Sequence, residues 1–393
     1  MAEQFDQIFV LLKQWLVGLA PLAWQPCVSA ILSVVPVVVV FAGLFAVTTI
    51  LERKGLGRIQ NRYGPNRVGP WGFLQPAADG LKALAKEDIV PRSADRVVHF
   101  IAPIVLVIPA FLVYAVLPFG RNMVVADYDA GVLFFFAIGA ATELSVFMAG
   151  WSSRNKYSLL GAMRAIAQMI SYEVPLILSA VSVIMVAGSL SLVDIVQQQA
   201  GYHDWIPVPR WNVFTPWGFA GFILFMIAAT AESNRSPFDL PEGESEIIAG
   251  YYIEYSGFKF ALFFLGEYLG LFAVSGLGIT LFLGGWHAPL PILEIVPSWC
   301  WFFVKLLVLI AGFIWVRGTL PRLRMDQLMN FAWKFMLPMA LVNIVAAGTW
   351  HFMPHGLPRW IVCSLLIAGP YVILGRGLTE GRNVAKRTYR FAD

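Results

Sequence analysis

The arrangement of apolar and polar residues divides this chain into long apolar segments separated by polar connections. Nine segments approach the roughly 20 residues that an α-helix needs to cross a bilayer. They lie at residues 28–50, 97–118, 132–150, 165–187, 214–231, 259–283, 299–316, 332–350 and 360–375. The last is the shortest and contains Pro370. The pattern predicts an all-α, polytopic transmembrane helix bundle.

Two further stretches have apolar residues along one helical face only. Residues 5–19 predict a short amphipathic helix on the membrane surface, with an apolar face formed by Ile8, Leu12, Trp15, Leu16 and Leu19. In the connection 51–96, Pro70 is a favourable first residue for a second surface helix. That helix could lie at headgroup level and frame an opening between spans, or the stretch could simply pack as a loop against the bundle.

Composition supports the membrane assignment. Hydrophobic residues make up 58% of the 393 residues and charged residues only 13%, whereas soluble domains are typically about a quarter charged. The three cysteines form no CxxC pair, so neither a disulfide framework nor an iron–sulfur cluster is indicated.

The distribution of lysine and arginine predicts the orientation. The connection 51–96 holds nine basic residues, and every second connection after it is also richer in them than the connections between. The positive-inside rule therefore assigns these connections to the cytoplasm and the N-terminus to the periplasm. The basic residues after position 375 lie on the cytoplasmic side only if the chain has nine spans, which is the number we expect.

One connection is unusually acidic. Residues 228–255 contain one base, Arg235, and six acids, namely Glu232, Asp239, Glu242, Glu244, Glu246 and Glu254. Pro237, Pro241 and Gly243 prevent the first half from forming one regular helix. A solvated loop could carry these charges at no cost, so the question is whether other acids continue from it into the membrane.

Three predicted spans carry such an acid. Glu143, Glu173 and Glu267 each lie about 12–14 Å inside the cytoplasmic end of their span, and Lys305 lies roughly 18 Å inside. A charge facing lipid costs about 2.5–3.5 kcal/mol or more, so these four groups should face the bundle interior or water.

The buried charges admit two interpretations. One is a proton or cation path joined to the acidic loop, since the protonation of carboxylates depends on their burial and on one another. Lys305 could continue this path. The alternative is static hydrogen bonding or ion pairing between helices, for which Tyr172 and Tyr268, next to two of the acids, are the obvious partners. The agreement in depth favours the path.

Several stretches closely resemble the H-subunit family of proton-translocating NADH:quinone oxidoreductase, respiratory complex I. They are ERKGLGRIQNRYGPNRVGP at 52–70, KEDIVP at 86–91, GWSSRNKYSLLGAMRAIAQMISYEVP at 150–175, SPFDLPEGESEIIAGYYIEYSG at 236–257, FFLGEYLG at 263–270 and LPRLRMDQLMNFAWKFMLPMALVN at 320–343. The resemblance runs from about residue 28 to 350 in order. It implies a domain of eight transmembrane helices at 28–350. The chain departs from the family pattern by an extension at 1–27 and another at 351–393, which contains the predicted ninth span.

The resemblance also implies two groups of site residues. A quinone chamber would involve Glu52, Arg53, Arg62 and Arg67 with the acidic loop beneath them, and we add Arg235 and Asp239 of that loop. A proton path would involve Glu173, Glu242, Glu244, Glu246 and Glu267, with Asp239 at its start and Glu254 in the same block as Tyr251. Glu143 and Lys305 join the path on the depth argument alone. The arginines of the first connection could instead serve only as positive-inside anchors.

The resemblance implies a subunit of an enzyme in the bacterial inner membrane, with quinone as substrate. We expect no cofactor on this chain and expect NADH, FMN and iron–sulfur clusters on partner subunits. The implied partners are the hydrophilic-arm subunits at the quinone site, the small and antiporter-like membrane subunits, and lipid, with no nucleic acid. The alternatives are the equivalent subunit of a membrane-bound hydrogenase or another quinone-reducing complex, a stand-alone cation channel or antiporter, or a purely structural anchor.

Overall fold

The computed structural model describes residues 5–202, 208–239, 249–354 and 356–380, with side chains up to residue 377. Helices dominate these residues, and no β-strand is found among them. The helices are α1 (Ile8–Gly18), α2 (Gln25–Ile59), α3 (Gln75–Ala85), α4 (Arg96–Leu112), α5 (Gly131–Gly139), α6 (Ala141–Ser152), α7 (Lys156–Ala187), α8 (Leu192–Gln198), α9 (Pro216–Glu232), α10 (Gly257–Phe282), α11 (Ser298–Thr319), α12 (Met325–Phe331), α13 (Leu337–Phe352) and α14 (Leu357–Glu380).

Helices occur at all nine positions where apolar segments predict spans. Eight of the described helical stretches are long and apolar enough to cross a membrane, counting α5 with α6 and α12 with α13 as single stretches. The remaining predicted span corresponds to α9, which is apolar but has only 17 residues. The chain is therefore an all-α, multi-pass membrane protein, as its hydropathy predicts.

The first spanning helix is longer than the sequence suggests. The apolar segment ends at residue 50, but α2 continues to Ile59 and has 35 residues. Glu52 and Arg53, which the sequence assigns to the first connection, therefore lie on a helix. No proline interrupts the chain between Pro36 and Pro65, so the backbone can remain helical beyond the apolar segment.

The two surface helices form with one shifted boundary. Helix α1 is attached to α2 by a 2.6 Å hydrogen bond from Lys13 Nζ to Ser33 Oγ. The second helix, α3, begins at Gln75 rather than at Pro70, since Pro70 opens only a short turn, Pro70–Gly72. Trp71 has a φ of 52° inside this turn, which no regular helix accommodates. Leu81 and Leu84 remain 68% and 63% exposed, which suits a helix lying in a lipid surface.

Three spans depart from regular α-helix. The third span consists of α5 and α6, which meet at Ala140, so Glu143 lies in the first turn after the break. In α7, Pro175 follows Glu173 by two residues and removes a backbone hydrogen bond there. Between α12 and α13, residues Ala332–Met336 form a wider π-helical turn. Two of the three irregularities therefore lie next to half-buried acids.

Helix α10 lies at the centre of the bundle. Its second half is buried almost throughout, from Leu271 to Phe282. Gly276 and Gly278 allow this close packing, because a Cβ at these positions would lie 3.1 Å from Leu117 and 2.9 Å from Phe225. Glu267 lies on the same helix, so the central helix also carries part of the charged interior.

Candidate functional site

Glu52 is the centre of a buried ionic cluster at one end of the bundle. Only 5% of its surface is exposed. Arg235 Nη1 donates to its Oε1 at 3.1 Å, and the Arg317 guanidinium and the Tyr268 hydroxyl bond the same carboxylate. Helices α2, α10 and α11 and the connection after α9 each supply one member, so the cluster exists only when these four segments are packed together.

Arg235 has donor capacity beyond this ion pair. Its Cζ lies 4.1 Å from the centre of the Tyr268 ring, a cation–π geometry. Its Nε and Nη2 are buried and have no hydrogen-bond partner within the described ranges. Burial opposes the charged form, but Tyr268 and Glu52 outweigh it, so the pKa of Arg235 is raised above its ordinary value. Arg235 is thus a permanent cation with N–H groups available for another acceptor.

Asp239 forms a second ion pair four residues further along. Its Oδ2 accepts from Arg322 Nη2 at 3.0 Å, and its Oδ1 is buried without a partner among the described residues. Burial raises the pKa of Asp239, and the Arg322 and Arg317 charges oppose this rise. Because Arg317 is close enough to influence both Glu52 and Asp239, the two ion pairs form one charged region.

The other three predicted chamber arginines lie away from this cluster. Arg53 pairs with Asp79 of α3 at 2.6 Å, with both side chains substantially exposed. Arg62 donates to Gln60 at 2.8 Å, and Arg67 is exposed. Their positions suit the attachment of α3 to α2 and a surface open to other molecules, and they do not line the ionic cluster.

Glu267 is held by two tyrosines on a short turn. The turn Gly250–Tyr252 follows the acidic stretch, and both Tyr251 and Tyr252 donate their hydroxyls to Glu267 Oε1, the former at 3.1 Å. The two hydroxyls also lie 2.6 Å apart. Glu267 is therefore connected by hydrogen bonds to the end of the acidic connection.

A cavity of about 80 Å³ joins Glu267 to Glu232 at the end of α9. Thr142, Asn234 and Tyr251 add polar groups to its wall, and the remaining wall is largely apolar. One water needs roughly 10–15 Å³ of such volume, so the cavity has room for several.

Two further acids lie near Glu232. Glu143 and Glu173 lie close enough to Glu232 for their charges to affect it, and Glu173 similarly affects Glu143. Glu143 Oε1 and Glu232 Oε2 are buried and have no hydrogen-bond partner in the described part of the chain. The sequence assigns Glu232 to the acidic connection and not to the buried path, because it directly follows its apolar segment.

Glu254 is separated from these acids by its own contacts. Its Oε1 accepts from Asn155 Nδ2 at 2.7 Å, and its backbone carbonyl accepts from His99 Nε2 at 3.3 Å. The His99 ring stacks on Tyr255 at 4.0 Å. Glu254 therefore fastens the chain after the acidic stretch to α4 and to the start of α7. Glu242, Glu244 and Glu246 lie outside the described residues.

Lys305 also lies apart from the acids. Its Nζ donates to the carbonyl oxygens of Leu283, Gly285 and His287 at 2.7, 2.9 and 2.7 Å. These carbonyls follow the C-terminus of α10, whereas Glu267 lies in the first half of that helix. The lysine side chain is partly buried, and the sequence does not reveal its three carbonyl partners.

The sequence leaves four residues of the site unassigned. The positive-inside pattern accounts for Arg317 and Arg322 without giving them a partner, and Tyr252 has no role beside Tyr251. Glu232 is simply one acid of the connection. All four lie at or near the ends of apolar segments, close to the predicted acids, and this position is the signal that could have identified them.

The fold and the site together define a multi-pass α-helical membrane protein with ionised groups buried between its helices. The family model described as NADH dehydrogenase matches residues 32–348. The chain is 51% identical to the H subunit of NADH-quinone oxidoreductase from Dehalococcoides mccartyi strain CBDB1 over 295 residues, which cover 75% of this chain and 79% of that protein.

Two further relatives carry the same name. The H subunit of Brevibacillus brevis is 47% identical over 323 residues, covering 82% of this chain and 93% of the relative. That of Geobacillus kaustophilus is 46% identical over 349 residues, covering 87% and 100%. The chain therefore belongs to the H-subunit family of NADH-quinone oxidoreductase, as the motifs in its sequence indicate, and is a subunit of an enzyme complex.

Proposed function

We propose that this subunit forms part of the quinone-binding chamber of NADH:quinone oxidoreductase and transmits the effect of quinone reduction to proton translocation. The observation that carries the proposal is the position of Arg235. It is bonded to Glu52 and lies within electrostatic range of Glu267. A change of charge beside Arg235 would therefore be felt at the start of the buried acids.

The ionic cluster suits the chemistry of a quinone. Two arginines share one glutamate, so Glu52, Arg235 and Arg317 together carry an excess of one positive charge. Two-electron reduction of a quinone to a quinol consumes two protons and transiently places negative charge on the quinone oxygens. The unengaged N–H groups of Arg235 would hydrogen-bond such an oxygen, and the low-dielectric surroundings would strengthen the interaction.

The proton path would run from the acidic connection to Glu267 and then through the cavity. Glu242, Glu244 and Glu246 would exchange protons with the chamber, with Asp239 at their start. Tyr251 and Tyr252 would pass a proton to or from Glu267, since a hydroxyl both donates and accepts. Water in the cavity would connect Glu267 to Glu232, and Glu173 and Glu143 would continue towards a neighbouring subunit.

In this proposal the chain lies in the bacterial inner membrane, with its N-terminus periplasmic and its C-terminus cytoplasmic. Electrons reach the quinone from NADH through FMN and iron–sulfur clusters on hydrophilic-arm subunits. Protons leave the path towards the small and antiporter-like membrane subunits. The exposed Arg62 and Arg67 would face the side on which the hydrophilic arm docks.

The test is Glu267→Gln in the assembled complex, because glutamine keeps the size of the side chain and removes its titration. We expect NADH:quinone turnover and proton pumping to fall together by at least about tenfold, which corresponds to roughly 1.4 kcal/mol. NADH oxidation by an artificial acceptor upstream of the quinone should be unchanged. The matched control is Glu294→Gln, an exposed acid in the connection after α10. Normal turnover and pumping in assembled Glu267→Gln complex would refute the path through Glu267.

A further inference from the structure

The surroundings of Lys305 are built to hold a cation. An ammonium group has three N–H donors, and the carbonyls of Leu283, Gly285 and His287 occupy all three. The Trp211 ring lies beside the ammonium group, with its centre 4.0 Å from Nζ. Carbonyl dipoles and an aromatic face both favour positive charge, which offsets part of the cost of burying an ammonium group.

This cation site lies beyond the end of the acid-lined cavity. The cavity extends along α10 to Val274, and the carbonyl site begins nine residues later at Leu283, about 13 Å further along the helix. The intervening layer is densely apolar and formed by the buried side chains of Leu277, Ile279, Leu281, Phe282, Phe225 and Phe302. A proton leaving the cavity in this direction would first meet this layer and then Lys305.

The neighbouring histidine is a poor proton acceptor at neutral pH. Burial and the Lys305 charge lower the pKa of His287 to about 4, and the Arg121 charge acts in the same direction. His287 is therefore uncharged near pH 7. Its Nε2 is buried and without a partner in the described ranges. His287 thus adds no positive charge beside Lys305.

We propose that Lys305 is an electrostatic seal that closes the bundle to protons and other cations at the end opposite the Glu52 cluster. The predicted orientation assigns this end to the periplasmic face. A cation on the route of mobile cations repels them, as positive barriers do in selective pores. The inference rests on the proposed function, since it explains why protons on the buried acids move to partner subunits and do not return directly across this chain.

The seal predicts a leak when the charge is removed. The variant is Lys305→Gln, whose amide still donates to carbonyls, and the matched control is Lys305→Arg, which keeps the charge. The complete complex is reconstituted into liposomes, and the passive decay of an imposed proton gradient is measured without NADH. We expect Lys305→Gln to dissipate the gradient at least about threefold faster than wild type, and Lys305→Arg to stay close to wild type. NADH oxidation in Lys305→Gln liposomes should lose its stimulation by an uncoupler.

Two results would overturn the seal. One is assembled Lys305→Gln complex with wild-type gradient decay, and the other is a leak of equal size in Lys305→Arg. A residue that only capped α10 would change the stability of the complex without changing its passive permeability.

A second variant covers the case in which Lys305→Gln does not assemble. Trp211→Leu keeps the lysine and its three acceptors but removes the aromatic ring that lies beside the ammonium group. Liposomes with this variant should lose the proton gradient about twofold faster than wild type, and wild-type decay would again overturn the seal. Because no turnover is involved, the outcome is independent of the Glu267→Gln test.

Discussion

Substituting Glu52 by glutamine should expose the energetics of the ionic cluster. The Glu52 side chain is only 7% exposed and that of Arg235 10%, so neither charge is solvated. Removing one partner of a buried ion pair costs about 3–5 kcal/mol, because the remaining charge is left uncompensated. Glutamine keeps one acceptor oxygen and Arg317 is 31% exposed, so the lower end of this range applies.

A cost of about 3 kcal/mol corresponds to roughly a hundredfold change in an equilibrium constant. The purified complex carrying Glu52→Gln should therefore lose quinone reductase activity at a clearly lower temperature than wild type. Its kcat/KM for quinone should also fall by at least about tenfold, since Arg235 is no longer held in place. The assays are thermal inactivation of the purified complex and steady-state kinetics with a short-chain quinone.

The matched control for Glu52→Gln is Arg53→Gln on the adjacent residue. Arg53 and its partner Asp79 are 50% and 39% exposed, and an exposed ion pair contributes only about 0–1 kcal/mol. The combination Glu52→Gln with Arg235→Gln should be less damaging than the two single effects added together, since the uncompensated arginine is removed. Wild-type thermal stability together with wild-type quinone kinetics in assembled Glu52→Gln complex would contradict these expectations.

Two further substitutions probe the neighbouring groups. Tyr252→Phe removes one hydrogen-bond donor from the buried Glu267, which should cost about 1–3 kcal/mol and slow quinone turnover. The control Tyr128→Phe, at an exposed position, should be neutral in the same assay. Burial raises the pKa of Asp239, so this group takes up a proton at higher pH than a free aspartate does. Its ion pair with Arg322 is therefore lost as the pH falls through this raised pKa. Quinone reductase activity should decline on this acid limb, and Asp239→Asn should be low and flat across it. An unchanged acid limb in Asp239→Asn would show that another group causes the decline.

The course of the chain through the membrane was largely predictable because hydropathy is a local property. A segment such as 299–316 must be helical in lipid, since every backbone N–H and C=O needs an internal partner there. The boundaries were less predictable. Helix α2 continues past its apolar segment to Ile59, and only its contacts in the folded bundle reveal that Glu52 belongs to the helix.

The residue types of the candidate site were more predictable than the contacts between those residues. Depth along the predicted spans indicated that Glu143, Glu173 and Glu267 should face the bundle interior or water, because a charge facing lipid is too costly. Depth alone could not separate Lys305 from them, since it measures position along one helix and not which neighbouring helix the side chain faces. The three carbonyls that hold Lys305 follow the end of α10, on a different segment from the lysine.

The sequence by itself determined the membrane class, the number of apolar segments, the family and the presence of ionisable groups inside the bilayer. These properties depend on composition and on the order of residues along the chain. Only the tertiary structure decided that Glu52 meets Arg235 and Arg317, and that Glu232 shares a cavity with Glu267. Glu52 and Arg317 are 265 positions apart, and a contact over such a separation depends on how helices pack. A buried charge needs a partner because burying it alone is costly, and the packing of the bundle determines which residue is that partner.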